Sequence, residues 1–349
     1  MADRTVLITC VGGYYAYDIV RALRMDEELQ LRVVGVDADS EATGRLFVDS
    51  FHTVPMAATD PDSFVESLLE ICVRESVDIV IPGADEEVYA LADAKQRFEV
   101  AGAKCAVADN KTLALTRDKV RFLETISDHG MTVPGFARVS SADDLEGIVE
   151  RLGYPERRVI LKPKTGRGAR GLIVVDADAH EFSTGTEARG YGIGDVRRVE
   201  EYINTQKNGP ALMAMEFLPG DIYDVDCVAA EGVPICVVPR RRLWDTPFSR
   251  GVEGHEIVRN EEMEQMTARV AEIFSLSYVF DCDFGTTADG RPGLLEVNPR
   301  WSGSVAAGLA GGVNVPTVLI RSMVGLPLPN TELKTGGKAV PVTRMVFQD

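Results

Sequence analysis

The sequence predicts an α/β and α+β protein, with an open parallel sheet at the N-terminus and mixed α+β domains after it. Two observations carry this. Short apolar runs rich in β-branched residues at 5–11 (TVLITCV), 31–37 (LRVVGVD) and 77–81 (VDIVI) alternate with YAYDIVRALRM and SFVESLLEICVRES, whose apolar residues recur at helical spacing. Strand–helix alternation of this kind is the layout of a parallel sheet. From about residue 111 it gives way to helices mixed with antiparallel hairpin patterns. A chain of 349 residues is long enough for two or three domains of about 100–200 residues each.

Taken in order, Gly12-Gly13 reads as a tight strand-to-helix turn; the segment is VGGYYAY, without GxGxxG. Asp37 and the run Pro82 to Glu87 follow the second and third strands, at the carboxyl ends where open α/β sheets take ligands. KTLALTRDKVRFLETISDHG reads as one helix ended by Gly130, MTVPGFARV as a strand after a turn, and DDLEGIVERLG as a helix. VILKPK and GLIVVD read as strands around a Gly-rich turn, and 181–197 as a surface loop. ALMAMEF, YDVDCVAA and PICVVPR follow as strands, then a long helix over 261–275. VFDCDFG and GLLEVN form a last hairpin that turns at Ala288-Asp289-Gly290.

The apolar fraction of 45% and charged fraction of 26% are those of an ordinary soluble globular protein. Six cysteines lie scattered, without CxxC pairing, and read as reduced core thiols of a cytosolic protein. MADRTVLITC runs directly into a strand without a signal-peptide layout. No uninterrupted apolar stretch reaches the roughly 18 residues of a membrane span. The net charge of −17 argues against nucleic-acid binding, which rests on a basic footprint. Against that background RRVILKPKTGRGAR, residues 157–170, carries six Lys/Arg and no acid. It is the expected place for a polyanionic ligand.

Near the C-terminus, LLEVNPRWSGS sets Glu296, Asn298 and Arg300 at period two, on one face of an extended chain. A buried strand face holds such groups only with partners, because unpaired polar burial costs roughly 2–7 kcal/mol. Asp283 and Glu296 stand thirteen positions apart across the last turn, so antiparallel pairing brings Asp283 near Glu296 and Asn298. Oxygen donors without sulfur or imidazole suit a hard cation. A metal-bound triphosphate opposite that face is one answer; a solvated hairpin is the other. Lys162 ends an apolar strand before TGRGARG, whose backbone N–H groups can approach phosphates closely, although no Walker pattern is present. Lys119 is a second buried-lysine candidate. Glu216 ends a strand at Phe217-Leu218-Pro219-Gly220, a hinge whose main chain can read an adenine edge. The four histidines, His52, His129, His180 and His255, lie outside these motifs and read as surface or satisfied core residues.

Lys119, Lys162 with KTGRGARG, Glu216-Phe217-Leu218-Pro219-Gly220, and Asp283 with Glu296-x-Asn298-x-Arg300 resemble, in that order, the motifs of the ATP-grasp superfamily. The similarity is greatest to carboxylate–amine ligases of the carbamoyl-phosphate-synthetase-like type, whose metal strand typically reads E-[IV]-N-P-R. The resemblance covers nearly the whole chain. It implies a Rossmann-like pre-ATP-grasp domain over 1–110, then a two-lobed ATP-grasp fold with its first lobe over 111–212 and its second over 213–349. It further implies that Lys119 and Lys162 contact the phosphates of ATP beneath a loop holding Gly166, Gly168 and Gly171. Glu216, Phe217 and Leu218 would frame the adenine. Asp283, Glu296 and Asn298 would hold two Mg²⁺ ions, with Mn²⁺ an acceptable substitute. Arg300, with Lys162, would steady the transferred phosphoryl group. The family's acidic ribose contact falls at Ile222 here, which leaves Asp221 or Asp224 to replace it.

The implied reaction makes an acyl phosphate from a carboxylate and ATP, and an amine then displaces phosphate. No protein nucleophile is required, which fits the absence of a Ser/His or Cys/His signature. The substrate pocket is expected from Asp85 and Glu86 at the N-terminal sheet edge, from Arg241, Arg242 and Arg250 in a mobile lid over 239–254, and from Ser302 and Gly303. That charge pattern suits small-molecule carboxylate and amine substrates, an amino acid or small peptide being simplest. A homodimer is compatible with the resemblance. A purine-biosynthesis-type ligase and a catalytically inactive ATP-binding regulatory module are the alternatives.

Overall fold

The computed structural model describes residues 4–13, 16–165, 171–184, 191–206, 211–243, 254–342 and 345. Among them the strands form three sheets. The first holds β1 (Arg4–Ile8), β2 (Leu31–Asp37), β3 (Ser50–Thr53), β4 (Ile79–Ile81) and β5 (Lys104–Cys105), all parallel, in the order β3-β2-β1-β4-β5. Helix α1 (Ala16–Arg24) covers one face, and α2 (Pro61–Glu75) with α3 (Asp85–Val100) covers the other. The strand period explains this division: Val6 and Ile8 pack with Ile19 and Leu23 of α1, while Leu7 packs with Phe64 and Leu91 of α2 and α3. The short edge strand β3, SFHT, carries one large apolar residue and gave no strand signal.

The expected single helix over 111–130 is broken into α4 (Asn110–Arg117) and α5 (Lys119–Asp128). Asp118 takes an extended conformation between them, and its carboxylate accepts from the backbone N–H of Val120 and Arg121. A side-chain N-cap satisfies donors that a continuous helix would have used otherwise. Lys119 therefore starts a helix, and its N–H donates to the Lys164 carbonyl at 2.8 Å.

The second sheet comprises β6 (Phe136–Val139), β7 (Val159–Pro163), β8 (Ile173–Val175), β9 (Gly192–Gly194) and β10 (Leu212–Glu216), in the order β6-β10-β7-β8-β9. Helices α6 (Leu145–Arg151) and α7 (Val196–Asn204) share its core. The loop expected over 181–197 contains β9, which pairs parallel with β8; Gly-Ile-Gly has little side-chain signal for a strand. Strand β10 pairs with β6 and β7, so this sheet runs past residue 212 to Glu216.

The third sheet is antiparallel: β11 (Ile222–Ala230), β12 (Val233–Arg242), β13 (His255–Ile257), β14 (Tyr278–Thr286), β15 (Pro292–Asn298) and β16 (Lys338–Ala339), in the order β15-β14-β11-β12-β13-β16. Helix α8 (Glu261–Phe274) packs on one face, against Val225, Cys227, Phe280 and Cys282. The other face packs Val228, Val238 and Val279 against α9 (Val315–Val324) and the 3₁₀ segment Val305–Gly311 before it. Helix α9 also ties back to the first sheet's helix layer: Arg321 pairs with Asp26 at 2.6 Å, and Asn314 donates to the Ala22 carbonyl. No single helix among the described residues is long and apolar enough to cross a membrane.

Phe122 of α5 stacks on Phe274 of α8, with ring centroids 5.4 Å apart, and is 1% exposed. Phe122→Ala should cost about 3–5 kcal/mol, the usual range for truncating a buried phenylalanine. Urea unfolding would measure it, and a loss below about 1 kcal/mol would show that the site collapses around the cavity.

Candidate active site

The face of the third sheet that meets α9 changes character along its strands. Past Val228 and Val279 the same face carries Asp226 and Asp224 on β11, Asp281 and Asp283 on β14, and Glu296 and Asn298 on β15. Asp224 stands opposite Asp283 and Asp226 opposite Asp281. Asp283 in turn pairs with Glu296, and Asp281 with Asn298. Residues directly opposite on antiparallel strands share a face, so the register gathers these groups into one patch. Asp224, Asp226 and Asp281 are 5%, 0% and 3% exposed, so each must be paired or neutralised.

Cations reach the patch from two directions. On β12, Arg242 donates to both Asp224 oxygens and reaches Asp283 at 3.4 Å. Arg240 is fully buried, lies 2.8 Å from Asp226, and donates to the hydroxyls of Ser302 and Ser304. From the second sheet's side come Lys119, 3.1 Å from Glu296, and Lys162, 3.8 Å from it. A β-bulge leaves Leu295 outside the β14–β15 register, and its carbonyl accepts from the Lys162 ammonium at 3.4 Å. Arg300 does not continue the period-two face. The strand ends at Asn298, and Arg300 turns to pair with Asp85 at the start of α3, 2.9 Å away.

The patch fits a hard cation. One carboxylate oxygen from each of Asp224, Asp281 and Asp283 lies within 4.8 Å of the others, and the buried Asp281 Oδ1 has no hydrogen-bond partner. Burial first, then the neighbouring carboxylates, pushes the Asp281 and Asp283 carboxyls above their ordinary range. Such groups ionise together readily only with positive charge among them. Burial alone would raise Glu296, but Lys119 and Lys162 hold it below its ordinary value. Burial lowers the Lys162 pKa, and Glu296 opposes that effect. Oxygen donors suit Mg²⁺ or Mn²⁺ rather than zinc.

The other expected site residues divide. Glu216 accepts from Arg157 and from the Gly135 N–H, so its carboxylate braces the edge strand. Leu218 is buried against Gly285 and Gly293, where an added Cβ would stand 2.8 and 2.9 Å from its Cδ1; this seats the Phe217-Leu218 hinge over the β14–β15 ends. Gly171 has a positive φ of 74°; Gly166, Gly168 and Arg250 lie outside the described residues. Asp224 lies within the acidic patch, opposite Asp283. Arg241 and Arg242 belong to strand β12 and not to a loop, because their ladder continues onto β13. Arg241 pairs with Asp221 and Glu256, so neither arginine stands free for a substrate. Ser302 donates to Asp226 at 2.8 Å, Gly303 is exposed, and Glu86 lies in the first turn of α3. Sequence reasoning missed Asp226, Asp281 and His255, and it expected Arg240 only within the mobile substrate lid, whereas it is a buried partner of Asp226. The first two had a signal: Asp-Val-Asp over 224–226 and Asp-Cys-Asp over 281–283 both place two acids on one face. His255 had none.

Residues 208–345 match the family described as ATP-grasp in the biosynthetic pathway with Ter operon, and residues 6–106 match the PylC-like N-terminal domain. Over residues 208–345 the chain belongs to an ATP-grasp family. Among curated relatives, the formate-dependent phosphoribosylglycinamide formyltransferase of Synechococcus sp. (strain RCC307) is 24% identical, over 87% of the chain and 72% of the relative. Its counterpart in strain CC9605 is 32% identical over 43% of the chain, which spans only 35% of that relative. The probable alpha-L-glutamate ligase of Aeromonas salmonicida is 24% identical over 76% of the chain and 81% of the relative. Among solved structures, the biotin carboxylase domain of Hydrogenobacter thermophilus 2-oxoglutarate carboxylase, a dimer with MgADP, ADP and bicarbonate, superposes with a TM-score of 0.69. It is 16% identical, with 96% of this chain and 73% of that one covered.

His255, expected at the surface or satisfied, is 2% exposed with Nε2 unpartnered and Nδ1 3.5 Å from Asp224. Burial, then the Arg240 charge, pushes its imidazole down to about 3. The unfolded chain takes up this proton near pH ~6.5, whereas the folded chain does so only near 3. Stability should therefore fall as pH drops below about 6.5, by up to ~1.4 kcal/mol per pH unit from this residue. Urea unfolding between about pH 7 and pH 5 should show a smaller loss for His255→Asn than for the native chain. Equal losses would show that His255 takes up its proton alike in both states.

Proposed function

We propose that this ATP-grasp chain is an ATP-dependent, ADP-forming ligase that activates a carboxylate as an acyl phosphate and joins it to an amine. One observation carries the reading: the buried acidic patch of the third sheet faces two lysines delivered by a different lobe. Acids of that kind hold a divalent cation, and lysines at that position answer the phosphates the cation brings with it. ATP with Mg²⁺ is the cofactor pair, Mn²⁺ an alternative, and Asp281 joins Asp283, Glu296 and Asn298 as a metal-ligand candidate. Held by these residues, the ions would supply Lewis-acid neutralisation of the phosphate oxygens.

The chain's own residues do the rest. Lys119 and Lys162, which share Glu296 in this structure, carry the charge that lets a carboxylate approach the γ-phosphate. The carboxylate oxygen bonds to phosphorus as the bond to ADP breaks. The amine nitrogen then bonds to the acyl carbon, phosphate leaves, and the amine loses a proton. Arg300, fixed by Asp85, is placed where the metal strand meets the N-terminal sheet edge and steadies the departing phosphate. Leu218 and the hinge main chain form the adenine wall. Closure of the two lobes on each other keeps water from the acyl phosphate. A small-molecule carboxylate and amine, probed first with amino acids, are the substrates, and a cytoplasmic setting with reduced cysteines belongs to the same reading. The likeness to the phosphoribosylglycinamide formyltransferase over 87% of the chain supports a second reading, a purine-biosynthesis-type ligase, so formate and phosphoribosylglycinamide belong in the same panel.

Incubation with Mg-ATP, a carboxylate panel and an amine panel should release ADP and phosphate; AMP with pyrophosphate on chromatography would mean adenylation and remove the acyl-phosphate mechanism. Glu296→Gln keeps size and removes charge, so it should lower turnover by about 100-fold or more, the scale of losing one electrostatic stabiliser. A folded variant with near-native turnover would take Glu296 out of the metal site.

A further inference from the structure

A cavity of about 360 Å³ opens beside the charged face, between α1, the 3₁₀ segment Val305–Gly311 and the β13–β16 edge. Its volume sits at the small end of ligand pockets, roughly 300–1,000 Å³. Two of its lining residues lead to the catalytic patch. His255 lies 3.5 Å from Asp224, and the Ser304 hydroxyl accepts from Arg240 at 2.8 Å. His255 is deeply buried, yet its Nε2 has no hydrogen-bond partner, and a buried ring nitrogen left open costs stability unless a ligand meets it. The outer wall carries Asp18 and Arg21, one turn apart on α1, and Lys338 of β16. The Arg21 charge acts on Asp18, but among the described residues the two form no direct ion pair. Leu309 and the alanines of the 3₁₀ segment supply an apolar side.

We propose that this cavity binds a small α-amino acid with an aliphatic side chain, the amine co-substrate of the ligase. The proposal rests on the ligase reading for the ligand's role, though not for its binding. A zwitterion needs an anion for its ammonium and a cation for its carboxylate, and Asp18 and Arg21 offer both without first having to break a bond to each other. Lys338 adds to the cationic side. The alanine-lined wall leaves room for an aliphatic group and offers a larger polar one no partner. At the inner end, the His255 nitrogen and the Ser304 hydroxyl lie beside the acidic patch and can share the ligand's second carboxylate oxygen. None of these residues belongs to the Lys119, Lys162 and Glu296 set that serves ATP.

Isothermal titration of the full chain with common L-α-amino acids, without nucleotide, tests the site directly. At least one small aliphatic member should bind. Arg21→Ala and Asp18→Asn, both on the outer face of α1, should each weaken it by about tenfold or more, about 1.4 kcal/mol per tenfold step. The α-amide of the same amino acid should bind the native chain more weakly and lose nothing further in Arg21→Ala. The proposal is overturned if no amino acid binds, or if binding is unchanged in both variants. ADP release separates the two ideas. Amino-acid binding without ADP formation from any carboxylate would sink the ligase reading and leave the pocket. ADP formation with an amine that does not compete for this cavity would sink the pocket and leave the ligase.

Discussion

Four acids, Asp224, Asp226, Asp281 and Asp283, stand together on one buried sheet face, and most of the architecture answers their charge. Burying an isolated carboxylate costs more than a domain's whole net stability of about 5–15 kcal/mol. Counter-charges therefore have to come from neighbouring elements: Arg240 and Arg242 from the adjacent strand, then Lys119 and Lys162 from across the cleft onto the neighbouring Glu296. The same interactions that make the patch tolerable fix the lobe that carries the two lysines over it. Removing one partner from such a buried network leaves the other uncompensated, a larger loss than the net worth of the pair.

The patch is stable because it occupies only the end of its face. Along β11 and β14 the alternation is unbroken. Val228 and Val279 sit under α9, and the aspartates follow at two-residue steps where the face leaves that helix and enters the cleft. The opposite face, with Cys227, Phe280 and Cys282, stays apolar under α8 throughout. The sheet thus anchors on both sides while exposing one polar edge to a ligand. Helix α9 has a second task, because its Arg321–Asp26 pair holds the N-terminal layer against the third sheet. That contact brings α1 alongside β13 and β16 and encloses the cavity between them.

Much of this was legible from residue spacing. The β-branched runs at 5–11, 31–37 and 77–81 became parallel strands, and the charges at 283, 296 and 298 came together across a turn at Gly290, as antiparallel pairing requires. Elements with little side-chain signal escaped: the polar edge strand at 50–53, the Gly-Ile-Gly strand at 192–194, and the break at Asp118, where a capping carboxylate overrode a continuous helical period. Arg241 and Arg242 read as a substrate loop because the stretch 239–254 mixes arginines with Trp244 and glycines, as a mobile loop facing an anion would. In the structure the β12–β13 ladder extends through them, and each is committed to a carboxylate.

What the sequence by itself determined is local: which residues share a strand face, which turns close hairpins, and that an acidic chain keeps one basic, glycine-rich segment. These follow from backbone period and residue chemistry, which need no knowledge of distant neighbours. Only the tertiary structure decided which charges meet. Arg300 finds Asp85 across 215 positions of chain, Lys162 finds the Leu295 carbonyl across 133, and His255 comes to lie against Asp224. Burial and pairing are properties of the packed whole. An arginine on a strand becomes a counter-ion or a substrate contact according to what the neighbouring strand presents to it, and strand spacing cannot encode that.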